Sequence, residues 1–293
     1  MIKYFFSILL LLGSLTGAKA QQDSIGLRKE IDFLLYLTEQ KQLDDVEFFS
    51  KKLFNDSLNY SPDFRDTISF ICAGAFNKFK KPLKAIGYYD QVSDNSVFYY
   101  PSAYTSALLE AENKNFKAAR KKLEEVLYDD NNFFTDLKHF ELSGTYLLLH
   151  DHASFDSIQA VFQPQDSLLQ AEFAYYKQYN VLLQTTKKKS AFLAGALSAV
   201  IPGLGKVYTG KPGQGLAAFL KTVPLAAITI ENYRVNGFNN PQLYIFGSLF
   251  ALFYVGNIWG STLSANIVYQ EKIDEIHHNI VVGLRIPVDN LFR

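Results

Sequence analysis

The chain has 293 residues, enough for one or two domains. Its 29 basic and 29 acidic residues cancel, which excludes a general nucleic-acid binder, whose charge would lean basic. The single cysteine, Cys72, excludes an intramolecular disulfide and a cysteine-built metal centre.

The even total hides a split along the chain. Residues 1–20 have the three parts of a secretory signal peptide: Lys3, the apolar run Tyr4–Leu12, and Ala18-Lys19-Ala20 before polar Gln21-Gln22-Asp23. The apolar run falls short of the roughly 20 residues that span a bilayer, so cleavage after Ala20 and export of the domain beyond it are expected. No cysteine lies just after the cleavage site, which argues against a lipoprotein anchor.

Residues 21–186 carry 24 acidic and 17 basic side chains, a net of −7, and read as a solvated, exported, almost wholly helical domain. Apolar residues recur three and four apart, as at Ile31, Leu34 and Leu35 or Leu123, Val126 and Leu127. Pro62, Pro101 and Pro164 fall between segments, and Pro82 suits the first turn of a helix. Cys72 lies in the apolar run 68–75 and reads as a small buried hydrophobe.

Short polar breaks precede a second helix at four places. The helices restart at Leu43, Phe79, Phe116 and Ala153, which are 36, 37 and 37 residues apart. The third unit, with Ala103, Leu108 and Ala111, then Asn115-Phe116, then Ala118-Ala119, Leu123 and Val126, resembles a tetratricopeptide repeat, whose period is about 34 residues. The early Trp and closing Pro of that family are absent. The resemblance covers about residues 28–165 and implies stacked helix pairs with a concave, peptide-binding face; a generic helical bundle is the alternative. The aromatics Tyr88, Tyr89, Phe98, Tyr99, Tyr100 and Tyr104 are expected mainly in the core, with some available to line a groove.

Lys187–Lys189 opens a different region. Between Ser190 and Asn266 only Lys206, Lys211, Lys221, Glu231 and Arg234 are charged. Three apolar segments come next, Ala191–Tyr208, Gly215–Ile230 and Leu243–Ile267, the last free of charge and a transmembrane candidate. Gly256 and Gly260 form a small-xxx-small pair suited to helix packing in lipid and to homo-oligomers. Lys221 lies inside the second segment, either as an intramembrane polar site or as a side chain reaching the headgroups.

The string Ser198-Ala199-Val200-Ile201-Pro202-Gly203-Leu204-Gly205-Lys206-Val207-Tyr208-Thr209-Gly210, with Gly215 beyond it, resembles the S-x-x-x-P-G-x-G-[QH]-x-Y-x-G pattern of small prokaryotic membrane domains related to the double-transmembrane-helix family. Similar segments follow helical repeats in envelope proteins of the Bacteroidetes type. Ser198, Pro202, Gly203, Gly205, Tyr208, Gly210 and Gly215 match; Lys206 stands where Gln or His is commoner. The residues themselves read as a tight helix–turn–helix with a structural role, a ligand-binding turn being the alternative; the resemblance supplies architecture and almost no chemistry.

The expected fold is therefore all-α: a signal peptide (1–20), an exported tetratricopeptide-like repeat array (21–186), a membrane domain of a transmembrane hairpin or three-helix unit (187–267), and a tail (268–293) in which Ile280–Val288 is a short strand or extended. Two spans return the C-terminus to the outside and three leave it in the cytoplasm. His277-His278 lacks the neighbours of a metal site, and His150-Asp151-His152 reads as a polar turn. H-E-x-x-H, Walker, G-x-S-x-G and C-x-x-C motifs are absent, so neither an enzyme nor a cofactor is expected. The expected function is an interaction scaffold at the inner membrane, its repeats on the outer face of that membrane. Its expected partners are membrane lipid and an envelope protein or peptide. The alternative is a small transport or channel element gated by the repeats.

Overall fold

The computed structural model describes residues 18–57, 61–128 and 132–292, and side chains within these apart from residues 18–25 and 132. The signal peptide expected over residues 1–20 thus lies outside the described residues, except that Ala18 to Ala20 open the first helix. The described residues are mainly helical, with no strand among them. In chain order the helices are α1 (Ala18–Glu39), α2 (Leu43–Asp56), α3 (Pro62–Lys78), α4 (Pro82–Tyr89), α5 (Tyr99–Glu112), α6 (Phe116–Glu125), α7 (Asn132–Leu148), α8 (His152–Val161), α9 (Ser167–Thr185), α10 (Ala191–Val200), α11 (Leu204–Thr209), α12 (Pro212–Asn236) and α13 (Pro241–Phe292). Pro62 and Pro82 open α3 and α4. Pro101 lies in the first turn of α5 and not between segments, a place where its missing amide has no helical partner to lose.

The chain forms two compact units. One takes the described residues up to Asn180 together with those from His278; the other is Val181–His277. Helices α9 and α13 contribute to both.

In the first unit, one turn recurs four times. Lys41, Lys80, Lys114 and His150 have φ of 59°, 54°, 64° and 56°, each just past a helix and two residues before the next. The amides of Gln42, Lys81, Asn115 and Asp151 donate to the carbonyls of Leu37, Phe76, Glu110 and Tyr146, five residues back. The left-handed residues donate three residues back, to Thr38, Asn77, Ala111 and Leu147. This is the Schellman arrangement, which satisfies the orphan carbonyls at a helix end. These are the four polar breaks seen in the sequence, and they give helix pairs α1–α2, α3–α4, α5–α6 and α7–α8.

Helices α1 to α5 share one apolar core. Leu34, Val46, Leu53, Ile68, Phe76 and Ala85 belong to it, with Cys72 buried among them. Burial pushes the Cys72 thiol up to about 12, so it behaves as an inert apolar filler. Tyr89, Phe98 and Tyr104 are buried, as core residues should be, and Tyr88, Tyr99 and Tyr100 are half-buried.

The tail departs from its expected form. Ile280–Val288 is neither strand nor extended chain but part of α13, which runs unbroken for 52 residues. Weak alternation suggested a strand or extended chain, but Ile280, Leu284 and Val288 are four apart, so a helix puts all three on one face. All three are buried in the first unit, and that burial decides the conformation.

In the second unit α10 and α11 form a tight hairpin broken at Pro202-Gly203, as the sequence indicates. Among the described residues two helices are long and apolar enough to cross a bilayer, α12 with its 3-10 extension to Asn239 and α13. Helix α10 has ten residues, about 15 Å of rise, half of a bilayer core.

Candidate functional site

Two arrangements stand out, one in each unit. In the first unit the C-terminal end of α13 lies in a groove made by α5, α7 and α9. Phe292 stacks with Tyr104 of α5 and Phe134 of α7, with ring centres 6.1 and 6.4 Å apart. Tyr176 of α9 donates its hydroxyl to the Ile280 carbonyl at 3.1 Å, and its ring stacks on Phe140 at 4.7 Å. Arg285 bonds Glu112 of α5 through Nε at 2.8 Å.

Two glycines make the approach close enough. A Cβ on Gly144 would fall 2.6 Å from Leu284 Cδ2, and one on Gly283 would fall 2.9 Å from the Tyr176 ring. Small residues on facing helices thus seat Leu284 and Tyr176 where larger ones would hold the helices apart.

One polar group in this groove is unusual. Glu141 lies one turn from Gly144 on α7 and is 1% exposed, and its Oε1 has no hydrogen-bond partner. Burial holds its carboxyl well above the usual carboxylate range. Burial pushes the phenols of Tyr104 and Tyr176 upward, and the nearby Glu141 carboxylate adds to the push on both. Neither phenol is free to serve it: Tyr104 donates to the Phe134 carbonyl at 2.9 Å and Tyr176 to Ile280. Lys138, one turn away, spends its ammonium on the carbonyls of Glu124 and Val126 at 3.1 and 2.6 Å. It thereby closes the end of α6, where the last carbonyls lack helical donors.

In the second unit the motif residues come together. Ser198 is fully buried; its hydroxyl accepts from the Gly205 amide at 3.0 Å and donates to Ser261 of α13 at 2.7 Å. Gly203 has φ 89°, and a Cβ there would fall 2.0 Å from the Gly215 carbonyl oxygen. A Cβ on Gly205 would fall 1.8 Å from the Ala194 carbonyl oxygen, so the two arms of the hairpin touch through backbone. Gly215 meets Gly203 in return, and Gly210, with φ 99°, ends α11.

Pro202 comes after the end of α10, where the missing amide starts no conflict. Lys189 donates to the Tyr208 carbonyl and lies 5.2 Å from that ring's centre. Thr209 pairs with Ser264 at 2.9 Å, and Tyr254 donates to the Ala199 carbonyl at 2.7 Å. The string is therefore a packing motif: Ser198, Gly203, Gly205, Thr209 and Gly215 each answer a specific close approach, and Gly210 supplies the positive φ that ends α11.

The remaining candidates separate. Gly256 opens onto empty space, whereas Gly260 is covered by the end of the Lys206 side chain, so the two do not form one free stripe. Lys221 lies exposed on α12. Asn257, not singled out by the sequence, is buried with both amide atoms unpaired. His150 and His152 flank a helix cap: Asp151 accepts from the Ser154 amide at 3.2 Å, and His152 Nδ1 lies 2.6 Å from Asn180 Oδ1. Among the described residues no three His, Cys, Asp or Glu side chains gather as a metal site would need.

Sequence reasoning missed the groove's own occupant. The signal was present as Ile280, Leu284, Val288 and Phe292, a four-residue spacing that continues α13 beyond its apolar part. No protein-family model, curated protein or solved structure matches the chain.

Proposed function

We propose that this protein is an exported, tetratricopeptide-like interaction scaffold tethered to the inner membrane by two crossings, α12 and the apolar part of α13. The observation that carries the reading is the make-up of the first unit, which contains both the repeat helices and the segment from His278 onward. Parts of one packed unit share one side of a membrane. An even number of crossings must then separate residue 180 from residue 278. Helices α12 and α13 supply two, and ten-residue α10 with six-residue α11 makes a hairpin too short to add a third.

The remaining support is chemical. The repeats carry the acidic excess, and the apolar unit exposes Phe192, Leu216, Leu252 and Trp259, as a lipid-facing surface would. Exposed Phe33 and Tyr36 on α1 and Phe48 on α2 offer an apolar contact for an envelope protein or peptide. Lys221, exposed on α12, fits a side chain reaching for headgroups better than a transport site.

Thiol labelling tests this. Single cysteines replace Ser24, Asn236 and Asn290 in a Cys72→Ser background. Residues 24 and 290 should react with an impermeant reagent from outside and residue 236 only after the membrane is opened. Labelling of 24 and 290 from opposite sides would sink the two-crossing reading.

A further inference from the structure

We infer that the groove of α5, α7 and α9 is shaped for an apolar helix that brings a basic side chain to Glu141, and that the chain's own segment 278–292 is the weaker occupant of that seat. This deepens the partner-binding part of the reading above and is independent of how the membrane is crossed.

The groove already holds a helix, so the shape of its ligand is on view: apolar side chains at Ile280, Leu284, Val288 and Phe292, with a helix backbone close enough for Tyr176 to bond. The same occupant leaves one groove wall unanswered. Along α7, Glu141 sits between Phe134, which meets Phe292, and Gly144, which meets Leu284. The residues of the segment buried between those two levels are Pro287 and Val288, neither with a side-chain donor to give. The segment's one cation in this stretch, Arg285, turns to Glu112 instead.

The neighbouring Tyr and Lys donors are committed. Tyr104 and Tyr176 bond carbonyls, and Lys138 holds the end of α6. A buried carboxyl lacking a partner penalises the state that leaves it so. A helix with Lys or Arg at the level of Val288 would supply a charge-assisted hydrogen bond, and the fold has already stripped the carboxyl of water. The ligand in trans is therefore expected to win over the resident helix by this one contact, with the apolar spacing held in common.

The test uses the full chain in detergent and two fluorescent peptides of sequence 278–292, one native and one with Val288→Lys. The Val288→Lys peptide should bind at least about tenfold tighter than the native peptide, the gain expected of one charge-assisted bond. The advantage should vanish on a full chain carrying Glu141→Gln, which keeps the shape but cannot ionise to meet the incoming cation. Equal affinity of the two peptides, an advantage that survives Glu141→Gln, or no binding of either would each overturn the inference.

Discussion

Replacing Leu284 with Ala should release the C-terminal end of α13 from its groove while leaving the rest of the first unit folded. Leu284 is 1% exposed, and its Cδ2 lies over Gly144, which has no side chain to relax into the space left behind. Buried Leu→Ala changes cost about 2–5 kcal/mol, and poor collapse at a glycine favours the middle of that range, ~3 kcal/mol. The contact is local, so the loss appears as easier opening of one segment and not as a global unfolding midpoint. A cysteine replacing buried Val288, in a Cys72→Ser background, reports that opening through its labelling rate. At about 1.4 kcal/mol per tenfold, labelling should rise roughly 100-fold. Leu249→Ala, at a residue 39% exposed in the second unit, should leave the rate unchanged. A rise below about threefold for Leu284→Ala, or an equal rise for both, would show that the groove does not hold the helix by this packing.

Other perturbations separate the remaining arguments. Gly283→Ala places a Cβ 2.9 Å from the Tyr176 ring and should weaken docking by about 1–3 kcal/mol, read by the same thiol. Gly205→Ala drives a Cβ into the Ala194 carbonyl and should open the α10–α11 hairpin to protease, whereas Gly210→Ala meets open space and carries only the strain of its φ of 99°. Glu141 has a folded pKa raised by burial, so its contribution to stability is whole below the unfolded carboxylate value of about 4.3 and is lost as pH rises through the folded value. Val288→Cys labelling, divided at each pH by the rate of the same thiol in the unfolded chain, should therefore quicken with rising pH, and Glu141→Gln should flatten that corrected profile.

The local rules were legible. Polar breaks near Lys41, Lys80, Lys114 and His150 mark real helix ends because a Schellman turn needs only its own few residues. Gly203, Gly205 and Gly215 were legible for the same reason: their purpose is close backbone approach at a short turn. What escaped was long-range. Glu141 reads in the sequence as one more acidic helix residue, and only its neighbours on α5 and α9 make it a buried, unpaired group. The segment 280–288 looks extended if judged by its weak alternation. It becomes helical because Tyr104, Gly144 and Tyr176, far earlier in the chain, bury one face of it. Gly256 and Gly260 share a spacing but not an environment, since a third element, through Lys206, covers one of them.

The basic run Lys187–Lys189 is the remaining tension in the proposed topology, because basic clusters favour the cytoplasmic side. Packing accounts for part of it. Lys189 closes the base of the α10–α11 hairpin through the Tyr208 carbonyl and ring, so its ammonium is held by the hairpin whatever side it faces. At the other end of the crossings Glu231 and Arg234 cancel and residues 237–240 carry no charge, so the loop between α12 and α13 exerts no opposing pull. In the proposed topology orientation then rests on the long helical domain before Lys187, since such domains translocate largely regardless of nearby charge. Replacing Lys187 and Lys188 with Gln should leave the labelling of residues 236 and 290 unchanged. Replacing Lys189 with Gln should leave the sidedness unchanged too, but expose the hairpin to protease. An inversion of labelling by the first change would make charge, and not the repeat domain, the determinant of orientation.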